Sequence, residues 1–229
     1  MKRSFTSLLL SVALLMIASG TLAAQDDDQG IIRINGGSMT IALHPNPQKI
    51  EPSAEAPASF VTIYSDLGTG TNVYLPGIGW SVTGPGVAGG QVESATPFTP
   101  THDFKLALIT VAILTAGGTN GVTLSLNQDS GGKPGTPIRT WNLVNLPAFP
   151  SCCKLDLARL KQTVGVKKGV QYWVVASTGE NTQDTSDSWN MNSLSIFGTV
   201  GQKFGNAAWE VTVGSALLPA FSVLGTPAD

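Results

Sequence analysis

From residue 60 onward the chain is a succession of short β-branched and aromatic runs cut by Gly, Pro, Asn and Asp clusters, and this rhythm excludes most folds. The runs are Phe60–Tyr64, Gly79–Thr83, Gln91–Phe98, Phe104–Thr115, Val122–Asn127 and Ile138–Leu143, then Gln162–Val166, Gln171–Ala176, Ser188–Ile196, Trp209–Val213 and Ala220–Leu224. None is separated from the next by a helical period, so a βαβ architecture is excluded. Roughly ten strands at even spacing predict an all-β, two-sheet antiparallel β-sandwich of jelly-roll type. Val122 to Asn127 alternates strictly, which places Val122, Leu124 and Leu126 on a buried face. Phe104–Thr115 is continuously apolar and reads as one central strand. Helix is plausible in one place, Lys154 to Lys161, and then for a single turn.

The segment before this domain has another character. Lys2 and Arg3 precede an apolar run from Leu8 to Ala18, and Thr21-Leu22-Ala23-Ala24 supplies small residues for cleavage. That is a secretory signal peptide, residues 1–24, too short for a membrane span. Residues 25–58 form an extension. Within it, Ile31–Ile34 and Met39–Leu43 flank Asn35-Gly36-Gly37-Ser38 as a hairpin, and a stretch with Pro45, Pro47, Pro52 and Pro57 reads as a linker. The sandwich domain is then 59–229. No C-terminal hydrophobic anchor is evident, so the expectation is an exported protein, secreted or periplasmic, with no membrane span.

Charge narrows the partners. The net charge of −2 becomes about −4 once Lys2 and Arg3 are removed, with no basic cluster. Nucleic acid is a poor fit to such a chain. Charged residues are 12 % of the total, and Gly, Thr, Ser and Asn replace them, as suits an extracellular β-protein.

Several segments taken in order resemble a known family. They are Val61-Thr62-Ile63-Tyr64-Ser65-Asp66-Leu67-Gly68, then Pro97-Phe98-Thr99-Pro100, then Asn127-Gln128-Asp129-Ser130-Gly131-Gly132-Lys133-Pro134-Gly135-Thr136. Cys152-Cys153, Gln171-Tyr172-Trp173-Val174-Val175-Ala176 and Pro219-Ala220-Phe221-Ser222-Val223-Leu224-Gly225 complete the set. Together they resemble the choice-of-anchor R domain, an exported bacterial β-sandwich domain of unassigned function. The resemblance covers about Phe60 to Gly225 and implies no catalytic residues.

The residues offer little for catalysis. His44 and His102 are the two histidines, and no Gly-x-Ser-x-Gly elbow occurs. A glycan-cleaving enzyme would need two carboxyls across the bond. After Asp66 the candidates are Glu93, Asp103, Asp129, Asp156, Glu180, Asp184, Asp187 and Glu210, which sequence cannot pair. A non-catalytic binding role fits better, with carbohydrate as the ligand class; a structural or adhesive protein recognising another surface protein is the alternative. Trp189 is the candidate sugar platform, with Asn190, Asn192, Asp184 and Asp187 as hydrogen-bonding neighbours. Asp184 and Asp187 with backbone carbonyls could also hold Ca²⁺. No other cofactor is expected.

Cys152 and Cys153 are the two cysteines of the chain. Export makes oxidation available, and the choices are a ring between neighbours, two free thiols or bonds to a second molecule. The ring is favoured. It encloses almost no chain, so it contributes little loop entropy and serves to fix a turn.

Overall fold

The computed structural model describes residues 29–34, 37–42, 60–179 and 182–228. Residues 1–24, read from the sequence as a signal peptide, the Asp26-Asp27-Asp28 run, Asn35 and Gly36, and the Pro-rich stretch with His44 lie outside them. Among the described residues there is no helix.

Fifteen strands follow one another among the described residues. They begin with β1 (Gln29–Ile34), β2 (Gly37–Ala42), β3 (Val61–Ser65), β4 (Tyr74–Thr83) and β5 (Val92–Phe98). The middle of the chain gives β6 (Phe104–Val111), β7 (Ile113–Gly117), β8 (Gly121–Asp129), β9 (Pro134–Val144) and β10 (Asp156–Val166). The last five are β11 (Tyr172–Ser177), β12 (Ser186–Asn192), β13 (Phe197–Phe204), β14 (Glu210–Leu217) and β15 (Phe221–Pro227).

They make two antiparallel sheets, a β-sandwich. The smaller sheet runs β10-β6-β15-β3. The larger runs β1-β2-β4-β5-β11-β8-β9, with β12 joining β4 to β7 and β13 joining β5 to β14. This larger sheet is nearly two, because β4 and β5 meet at the single pair Thr83↔Val92. The N-terminal hairpin forms as expected, Ile34 opposite Gly37, and it joins the larger sheet through Met39↔Trp80.

The main core lies between the sheets. Val122, Leu124 and Leu126 enter it as their alternation requires, and Val174, Ala176, Ile109 and Val223 meet them. Trp189 and Phe221 pack edge to face at 6.1 Å, and Tyr64 stacks on Phe221 at 4.6 Å.

Three expectations are corrected. Phe104–Thr115 is two strands in different sheets, not one. The change occurs at Ala112, where three segments exchange backbone bonds in a closed ring. Ala112 N–H donates to the Ala220 carbonyl, Ala220 N–H to Asn190, and Asn190 N–H to Ala112. A small, fully buried side chain lets the strands approach there. The segment Lys154 to Lys161 makes no helical turn. Its residues from Asp156 on become the start of β10, because Asp156 to Arg159 pair with β6 and Ala158 and Leu160 gain a core.

The third correction is β13, unannounced because Gly198 and Gly201 resemble turn residues. They are packing residues instead. A Cβ on Gly201 would stand 3.4 Å from the Trp209 ring and 3.5 Å from that of Trp173.

Candidate functional site

Strands β9 and β10 end their respective sheets on the same open side of the sandwich. Edge strands tolerate proline, since one row of N–H groups has no ladder partner, and β9 carries Pro134 and Pro137. Arg139 and Trp141 lie opposite Leu126 and Leu124 of β8, so both project on the inner side, toward β10.

Strand β10 carries a wide bulge at the same level. Arg159 pairs with Leu108 and Val164 with Leu106, so residues 160–163 stand against Ala107 alone. Extra residues on one strand bend it outward and re-aim its side chains. Between this bulge and β9 lies an open groove of about 410 Å³. Trp141 and Leu160, both packed on the main core, form its floor. Arg139, Arg159, Lys161 and Gln162 form its walls. The indole N–H of Trp141 donates to the Arg159 carbonyl at 3.1 Å, which pins the floor across the two sheets.

The electrostatics are one-sided. The groove lining contains three cations and no carboxylate. Arg139 donates to its neighbour Ile138's carbonyl, and no described acid forms an ion pair with Arg139, Arg159 or Lys161. Other described acids are engaged elsewhere. Glu93 pairs with Lys203 at 3.1 Å, and Asp103 with Lys167 at 2.8 Å. That Lys167 bond and the Lys168 N–H hold the Asp103 carboxyl below its ordinary range. Burial pushes Asp129 up, but donations from Trp173, Gly132 and Gln171 outweigh it and leave the group lowered.

The residues singled out by sequence are not gathered on a surface. Trp189 is fully buried and donates its indole N–H to the Ala220 carbonyl, so it offers no face to a sugar. Asn190 is likewise buried. Asn192 is buried as a turn lock, accepting from Leu194 and Ile196 and donating to Leu218. Asp184 is exposed and takes the Thr119 hydroxyl at 2.7 Å, which lowers its pKa. Asp187 points the other way, into the interior, so these two acids do not face one ion. Glu180 lies outside the described residues. The aromatic that does stand at an opening is Trp141, and its signal was the Arg-Thr-Trp spacing on a proline-bearing strand.

His102 hydrogen-bonds Thr101 through Nδ1, while the Asp103 carboxylate bonds Lys167 and Lys168. The neighbouring acid therefore does not orient this histidine. Cys152 and Cys153 form a vicinal disulfide across a cis peptide, 2 % and 1 % exposed. They sit under Tyr74, Leu114, Phe149 and Leu155 in a satellite core, and Cys153 Sγ approaches the Thr71 carbonyl. Tyr74 ties the same loop down by donating to the Ser151 and Lys154 carbonyls.

Among the described residues no three His, Cys, Asp or Glu side chains converge as a metal site, and no helix is long and apolar enough to cross a membrane. No family model matches this chain, and no curated protein matches it.

Proposed function

We propose that this is an exported, non-catalytic binding protein, akin to the choice-of-anchor R domains it resembles, whose ligand is an acidic carbohydrate held in the groove between β9 and β10. The observation that carries this reading is the β10 bulge, whose Lys161 and Gln162 line one groove with Trp141 and both arginines. An indole at the floor gives a sugar ring a flat apolar surface. Guanidinium groups bind carboxylates or sulfates through paired donors, and an amide side chain serves hydroxyl groups. Cleavage of a glycosidic bond would need two carboxyls at the site, and the lining has none.

A glycan array that includes polyuronates, sulfated glycans and neutral polymers tests the reading. Saturable binding to acidic glycans is expected, weakening as salt rises because the contacts are exposed ion pairs. Trp141→Ala and Arg159→Ala should each reduce affinity by at least about tenfold, or 1.4 kcal/mol. A blank result on every acidic glycan sinks the proposal and leaves the cations as guards of two sheet edges against pairing.

A further inference from the structure

A second polar site lies inside the sandwich and is not used by the groove. Asp187 and Thr115 are cross-strand neighbours on β12 and β7. Asp187 lies two residues before Trp189, so both side chains project on the same face, into the main core. From the opposite sheet comes Asp156, the first residue of β10, paired with the core residue Val111.

These oxygens are poorly supplied with protein donors, the Thr115 hydroxyl being the one that bears on Asp187. Asp187 is 0 % exposed, and neither of its carboxylate oxygens has a hydrogen-bond partner. Thr115 Oγ1 and Asp156 Oδ2 are also without one. Lys154 acts on Asp156 through space but makes no ion pair with it. Buried carboxylates in native proteins are almost always paired, hydrogen-bonded or bound to a metal. Burial raises Asp156 to about 7, and burial, opposed by the Thr115 hydroxyl and reinforced by the charge of Asp156, raises Asp187 to about 8. The two acids therefore lie within each other's field.

We propose that Asp156, Asp187 and Thr115 form a calcium site that ties the two sheets together. The donors are all oxygen, which suits a hard cation and not zinc. Two carboxylates balance one divalent charge. Calcium tolerates a mixed set of carboxylates, a hydroxyl and water, whereas magnesium demands a compact octahedron. Asp156 is partly exposed and gives the ion and its waters a way in. The sequence's Asp184 is replaced in this role by a residue 31 positions earlier than Asp187, on a strand of the other sheet. The site stands apart from the groove, and its test does not depend on any glycan.

The test is a Ca²⁺ titration of the chelator-treated protein at neutral pH, by calorimetry and by thermal melting. One ion per chain is expected, with a melting midpoint raised by roughly 5–10 °C at a hundredfold excess over Kd. Asp187→Asn and Asp156→Asn keep the shape and remove a charge, so each should melt cooperatively yet lose the calcium heat and shift. Absence of any wild-type response up to about 10 mM, well above extracellular calcium affinities, overturns the proposal. So does an equal response to Mg²⁺, or a calcium response that survives in Asp187→Asn.

Discussion

Trp189 and Trp141 use the same device and serve different ends. Each indole donates to a backbone carbonyl distant in the chain, at 3.0 Å to Ala220, just before β15, and 3.1 Å to Arg159 of β10. Trp189 sits where both sheets close, with Phe221 across from it and no exposed surface. Trp141 sits at an edge, where the β10 bulge leaves an open groove over the ring. Identical chemistry in the residue gives a core pillar in one place and an open floor in the other. What differs is whether a second layer covers the ring.

That comparison can be broken by experiment. Trp189→Ala should cost about 3–5 kcal/mol in urea unfolding, the range for deleting a large buried aromatic. Trp141→Ala should cost at most about 1 kcal/mol, since half-exposed positions collapse or hydrate without a sealed cavity. Equal costs would show that the two tryptophans are not distinguished by cover.

The next effect is set by acids that the fold encloses. Asp66 is fully buried and accepts from Phe221 N–H and Tyr64 O–H, yet burial outweighs both bonds and raises it to about 7. The same burial and the Asp66 charge lift the Tyr64 phenol above its ordinary range. Asp156 and Asp187 are raised to about 7 and about 8. An acid whose pKa is higher folded than unfolded binds its proton more tightly in the native state. Its contribution is full below the ordinary value of about 3.9 and is lost as pH rises through the folded value. Chelator-treated protein should therefore lose a few kcal/mol between pH 4 and 8, read as a falling urea midpoint. Asp66→Asn should flatten that fall, and saturating Ca²⁺ should remove the part due to Asp156 and Asp187. A midpoint that rises over this range would contradict the burial of all three.

The disulfide loop gives the smaller effect. Replacing both cysteines by alanine should cost about 1–2 kcal/mol through lost packing under Tyr74 and Phe149, since the ring encloses almost no chain. A cost above about 4 kcal/mol would assign the pair a stapling role that its sequence separation argues against.

Much of the architecture was legible. The β-rich rhythm, the Asn-Gly hairpin and the alternation of Val122, Leu124 and Leu126 are local patterns, and local patterns survive folding because each residue's strand and face follow from its neighbours. The corner at Ala112 was not legible, since neither glycine nor proline marks it. It exists because Ala220 and Asn190, far away in the chain, supply the hydrogen bonds. The same holds for β13, where Gly201 serves two tryptophan rings and Gly198 the Leu218 side chain, not a turn.

The site was least legible, for the same reason. Trp189 among Asn, Ser and Asp has the composition of a sugar platform, but Phe221 of β15, in the facing sheet, covers it. The sequence by itself determined an all-β chain with buried alternating faces and two cysteines that can bond each other without a third. Only the tertiary structure decided which tryptophan faces an opening and which acids share an interior. Those outcomes depend on what a distant strand places on top, and no local pattern records a covering layer.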